Sequence, residues 1–152
     1  MYSEVFPIRL KEARKITGFT QEEVAKELKI NRGNLSRYET GDREPDIETL
    51  SKLAEFYGCT TDWLIGKGSY PGFEPVYKWD GLTTHITQFP SKLKIARNKK
   101  GLSQNKIANY IGVPQSNIAK YELGQLEPSI EILAKLSDYY QVSSDWLLGL
   151  AQ

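Results

Sequence analysis

Apolar positions fall along this chain in short bursts at helical spacing, each closed by a glycine, a proline or a small capping residue. Leu10, Ala13 and Ile16 share one face of a first helix over Ile8 to Ile16, which Gly18 stops. Thr20 and Glu23 form a capping box for a second helix whose inward residues are Val24, Ala25 and Leu28. The turn Lys29-Ile30-Asn31 ends it, and Asn31 is a natural N-cap for a third helix over Arg32 to Glu39. That third helix buries Leu35 and Tyr38 and leaves Arg32, Gly33, Asn34, Ser36 and Arg37 on its free side. Glu44-Pro45 then leads into a fourth helix carrying Ile47, Leu50, Leu53, Ala54 and Tyr57, and Thr61-Asp62-Trp63-Leu64 closes the series with a capped, apolar turn.

The chain then writes the same series again. Ser91 to Gly149 aligns without a gap on Ile8 to Gly66 at an offset of about 83 residues, with roughly two positions in five identical. Gln115 to Glu122 repeats the third helix, with Ile118 and Tyr121 inward and Gln115, Ser116, Asn117, Ala119 and Lys120 outward. The copies differ at their caps: Ser103 replaces Thr20, Lys106 stands where the reciprocal Glu23 would be, and Pro114 stands in place of Asn31. At about 60 residues each, these are tandem small domains rather than stacked solenoid units. The expected fold is all-α, with two domains of about five short helices each, at residues 1–66 and 91–152, joined by a linker at 67–90.

In each copy the second helix packs in the core, and across a tight turn the third presents polar side chains outward, which is the helix-turn-helix pattern. Arg14, Gln21, Ala25, Tyr38-Glu39, Gly41 and Pro45 occur in that order, and so do Arg97, Gln104, Ala108, Tyr121-Glu122, Gly124 and Pro128. With these residues both copies resemble the DNA-binding domain of the phage repressor and Cro family, the xenobiotic-response-element type of helix-turn-helix, over about four fifths of the chain. The resemblance implies two lambda-repressor-like domains. It implies that Gln21 and Gln104 grip a phosphate and brace the recognition helix, and that Arg14 with Glu39 and Arg97 with Glu122 form internal ion pairs. It also implies a phosphate contact at Arg43, whose twin is Leu126.

The function so implied is sequence-specific recognition of double-stranded DNA by a transcriptional regulator, with repression by promoter occupancy as the expected mode. Arg32, Asn34, Ser36 and Arg37 in one copy, and Gln115, Ser116, Asn117 and Lys120 in the other, are side chains able to reach base edges and phosphates. A homodimer would extend the two readers to four. The rival reading is an antitoxin-like or adaptor module in which one copy has become a docking or dimerisation surface.

Charge separates the copies. Ile8 to Gly66 holds 10 basic and 11 acidic residues, whereas Ser91 to Gly149 holds 8 and 5, so the second is the more basic; Lys94, Arg97, Lys99 and Lys100 cluster on and after its first helix. The net charge of +1 over 152 residues argues against tight binding to arbitrary DNA.

Chemistry is otherwise sparse. One cysteine, Cys59, excludes an intrachain disulfide and reads as a small buried hydrophobe, and one histidine, His85, cannot build a metal site with it. No acid/base pair stands beside a nucleophile, so no enzyme, cofactor or metal is expected. Without a membrane-length apolar run or a signal-peptide pattern, the expected location is the cytoplasm. The linker carries Tyr70, Phe73, Tyr77, Trp79, Ile86 and Phe89, too many large apolar groups for a free coil, so part of it should pack, with Thr84 to Phe89 read as a short extended segment.

Overall fold

The computed structural model describes residues 1–68 and 88–150, and these hold ten helices. The chain divides into two compact units, Met1–Thr83 and Thr84–Gln152. The first contains α1 (Tyr2–Thr17), α2 (Gln21–Leu28), α3 (Arg32–Thr40), α4 (Ile47–Tyr57) and α5 (Thr61–Leu64). The second contains α6 (Phe89–Lys99), α7 (Gln104–Ile111), α8 (Gln115–Leu123), α9 (Ile130–Tyr140) and α10 (Ser144–Leu147). The all-α, five-helix organisation expected of each copy is present, and the linker's central residues, with His85 and most of Thr84 to Phe89, lie outside the described residues.

The first helix of each unit begins earlier than its periodicity suggested. Phe6 and Pro7 are buried in α1, and at the same offset Phe89 and Pro90, assigned above to the linker, open α6. Phe6 and Phe89 are each 1% exposed. Phe6, Leu10 and Ala13 form the inward face at spacings of four and three, which rotates Ile16 out to 48% exposure. The proline beside each phenylalanine also has a role. Pro7 lies 3.3 Å from where a Cβ on Gly41 would sit, and Pro90 lies 3.4 Å from the equivalent point on Gly124. Both glycines end their recognition helix in the left-handed region, at φ 87° and 74°. A side chain there would meet both backbone strain and a proline ring.

Capping fixes the remaining boundaries. Thr20 and Glu23 make the reciprocal box, whereas Ser103 caps α7 by accepting from Lys106 N–H with no reciprocal bond. Asn31 caps α3 through its side chain, and Pro114 occupies the same place before α8 without a side-chain bond. The closing turns are capped by Thr60 and Ser143, one residue before the expected positions, so that Thr61 and Ser144 are buried instead. Trp63 is buried, but Trp146 is only half-buried. Each carries a cation over its ring: the Arg9 guanidinium at 5.2 Å and the Lys92 ammonium at 4.8 Å. Cys59 has no exposure, as its small apolar role requires.

The capping box gives the first unit an acid-sensitive helix start. The Thr20 backbone N–H and then its hydroxyl hold the Glu23 carboxyl below the ordinary glutamate range. A depressed folded-state pKa contributes stability above the unfolded value of about 4.3 and loses it as pH falls through the folded value. Amide protection at the start of α2 should therefore fall on acidification below that range, while the start of α7, with Lys106, should not follow it. Hydrogen-exchange protection factors measured at both sites check this, and Glu23→Lys should abolish the difference.

Candidate nucleic-acid interface

The platform beneath the third helix of each unit is a largely buried ion pair. Arg14 Nε and Nη2 donate to the two Glu39 oxygens at 2.8 and 3.0 Å, and Arg97 makes the same fork to Glu122 at 2.7 and 3.0 Å. The hydrogen bonds to glutamate hold both arginines above their ordinary pKa. Each arginine also closes the loop after its helix, donating to Phe19 O or Leu102 O. Gln21 and Gln104 complete the platform, each donating from Nε2 to the glutamate at 3.2 Å. The brace expected of these glutamines is thus present. A buried tyrosine from the fourth helix, Tyr57 or Tyr140, lies beside the pair, and burial, then the neighbouring glutamate, pushes its hydroxyl well above the ordinary phenol range.

Above that platform the predicted readers come together in each unit. Arg32, Arg37 and Arg43 are exposed, Asn34 and Ser36 are half-buried, and Gln21, Asn31, Arg32, Gly33 and Ser36 line an open cleft between the starts of α2 and α3. In the second unit Gln115, Ser116 and Lys120 are exposed, and Asn117 is half-buried with a hydrogen bond to the Tyr121 side chain. Gln115 Nε2 donates to Gln104 Oε1 at 2.7 Å. A continuous chain of hydrogen bonds therefore runs from the buried Glu122 carboxylate to the exposed first residue of α8.

Two differences from the sequence reading bear on charge. Arg97 belongs to the basic cluster by position, but Glu122 neutralises it, leaving Lys94, Lys99 and Lys100 exposed, with Lys100 over the Tyr139 ring at 5.6 Å. Where the first unit has Thr40 and Arg43, the second exposes Leu123 and Leu126, at 69% and 38%. Arg9 and Lys92, which the sequence reading passed over, tie the closing tryptophan turn to the first helix; their signal was a cation at matching positions one residue before a core leucine.

Gly33 has a local cause. A Cβ there would sit 2.9 Å from Asn31 Oδ1 and displace the cap. The second unit caps with Pro114, which offers no such oxygen, and tolerates Ser116 at the twin position. Gly33→Ala should gain up to about 1 kcal/mol of helix propensity and lose a cap worth about 1 kcal/mol, leaving the melting temperature nearly unchanged. After Asn31→Pro the same change should be stabilising, a non-additivity that a double-mutant thermal cycle measures.

The fold and the platform repeated in each unit define a protein with two helix-turn-helix domains. A helix-turn-helix family model matches residues 10–64 and again 93–147, and the chain belongs to that family, the phage repressor and Cro type. It is similar to the HTH-type transcriptional regulator ImmR of Bacillus subtilis (strain 168), 52% identical over 59 residues, covering 39% of this chain and 46% of that protein. Similarity extends to the cryptic phage CTXphi transcriptional repressor RstR of Vibrio cholerae, 37% identical over 54 residues, 36% of this chain and 49% of that protein. The HTH-type transcriptional activator BcrR of Enterococcus faecalis is 32% identical over 60 residues, 40% of this chain and 29% of that protein. The chain spans about half the length of the first curated relatives it matches, at 46%, 56% and 52%. No solved structure gives a significant match. Among the described residues no helix is long and apolar enough to cross a membrane, and no group of metal-ligating side chains comes together.

Proposed function

We propose that this chain is a sequence-specific DNA-binding transcriptional regulator that represses by occupying its site, with α3 and α8 each reading a major groove of double-stranded DNA. The observation that carries the reading is the platform repeated in both units. A largely buried arginine-glutamate fork and a bonded glutamine hold an exposed helix whose outward residues are polar or small except for Leu123 at the end of α8. Such pre-positioning is what base readout needs, because a bidentate contact worth about 1 to 3 kcal/mol is lost when the side chain is misplaced. The likeness to RstR, named a transcriptional repressor, at 37% identity supports repression over activation, since BcrR, named an activator, is less similar at 32%.

Selection of bound duplexes from a random pool by the purified full chain tests the proposal. A defined motif, bound with an affinity that falls steeply as salt rises, is the expected result. Recovery of no motif would sink it. The second reading, a docking role for one copy, is favoured by the exposed Leu123 and Leu126 and predicts that only the first unit contributes to the motif.

A further inference from the structure

We propose that Arg37 and Arg43 are positioning residues that restrict Asn34 to donating hydrogen bonds, so that the first unit selects guanine over adenine at the base pair Asn34 reaches. The inference rests on the DNA-reading role proposed above and adds to it the chemistry of one recognised base.

Asn34 and Asn117 are the same residue at the same place in the two copies, but their neighbours engage them differently. Asn34 Oδ1 accepts from Arg43 Nη1 at 3.0 Å and from Arg37 Nη1 at 3.3 Å. An amide oxygen has two lone pairs, and both are engaged. The turn after α3 is built to bring Arg43 back over the helix. The backbone N–H groups of Gly41, Asp42 and Arg43 all point to Arg37 O, at 3.0, 3.0 and 3.3 Å, and the Thr40 hydroxyl bonds both that oxygen and Asp42 Oδ2. In the second unit the arginines' twins are Lys120 and Leu126, and Asn117 bonds to Tyr121.

An unrestricted asparagine reads adenine by accepting from N6–H with Oδ1 while donating to N7 from Nδ2. With Oδ1 engaged, the first of those bonds is unavailable. What remains is the Nδ2 group with two donor hydrogens, which matches the two major-groove acceptors of guanine, N7 and O6. The two guanidinium groups act in the same direction, because their positive charge favours an edge made of acceptors and disfavours the amino group of adenine.

The test is duplex selection with the full chain. Asn34→Ala first identifies the base pair concerned, as the position at which preference is lost. The parent should select guanine there, and Arg37→Ala with Arg43→Leu should turn that preference toward adenine by about tenfold, with the other positions of the half-site keeping their order. Loss of two exposed positive charges should also weaken all sequences alike and reduce the salt slope by up to about two, a change that a merely electrostatic role shares. The shift at one base pair is what that role would not produce. The reciprocal graft, Lys120→Arg with Leu126→Arg in a Tyr121→Phe background that frees both Nδ2 hydrogens of Asn117, should raise guanine at the base pair read by Asn117, and it serves as an independent arm if the first variant folds poorly. Adenine at the Asn34 position in the parent, or guanine retained in the double variant, would overturn the proposal while leaving the regulator reading intact. Failure of the parent to select any motif would overturn both.

Discussion

Arg97→Ala is expected to destabilise the second unit by about 3 kcal/mol or more, because it leaves a buried carboxylate without its partner. The Glu122 side chain is only 4% exposed and the arginine 13%, so water cannot readily replace the two bonds of the fork. The same substitution removes the bond to Leu102 O that closes the loop between α6 and α7. For a unit of this size, 3 kcal/mol corresponds to a fall in melting temperature on the order of 10 to 25 °C. Hydrogen-exchange protection across α7 and α8 would locate the loss in that unit. Replacing both partners by apolar residues, Arg97→Met with Glu122→Leu, should recover much of the stability, since it removes the stranded charge as well. Recognition should not recover with it, because Gln104 then has no carboxylate to orient it and Gln115 loses its brace. A melting temperature equal to the parent's after Arg97→Ala would refute the assignment of this pair as the platform.

Disabling the two readers separately should remove different halves of one footprint. Arg32→Ala with Asn34→Ala takes away exposed donors of α3, and Gln115→Ala with Asn117→Ala takes away the braced amide and its neighbour on α8. At about 1 to 3 kcal/mol for each lost base contact, either pair should cost roughly 30-fold to roughly 25,000-fold in affinity for the selected site. None of the four residues is in the core, so both variants should melt close to the parent. The outward sets differ chemically, arginine-glycine-asparagine against glutamine-serine-asparagine, and an asymmetric site follows from that difference. Protection that stays whole after the changes on α8 would assign the second unit, with its exposed Leu123 and Leu126, to docking instead.

Most of this architecture could be read from local signals. The repeat, the capping residues, the glycine stops and the inward leucine and isoleucine stripes depend on residues a few positions apart, and helices obey such short-range rules. Phe6-Pro7 and Phe89-Pro90 obeyed the same offset and were legible in principle, but no charged or helical signature marked them as part of the domain rather than its approach. The ion pairs were reached only through likeness to a family. Nothing in spacing alone joins Arg14 to a glutamate 25 residues away.

By itself, then, the sequence determined two copies of a five-helix unit and the face of the third helix that points away from each core. Tertiary structure alone decided how those outward side chains are engaged. Ile16 turned outward because Phe6, an added turn upstream, set the phase of α1. Arg97 was removed from the surface charge by Glu122. Asn34 was bound by Arg43 from beyond the end of its helix, while Asn117 was not, because leucine stands where that arginine would be. The physical reason is the range of the interactions. Hydrophobic phase and capping are set within a turn of helix, but the hydrogen-bonding capacity left to an exposed amide depends on groups that only the folded chain brings within 3 Å.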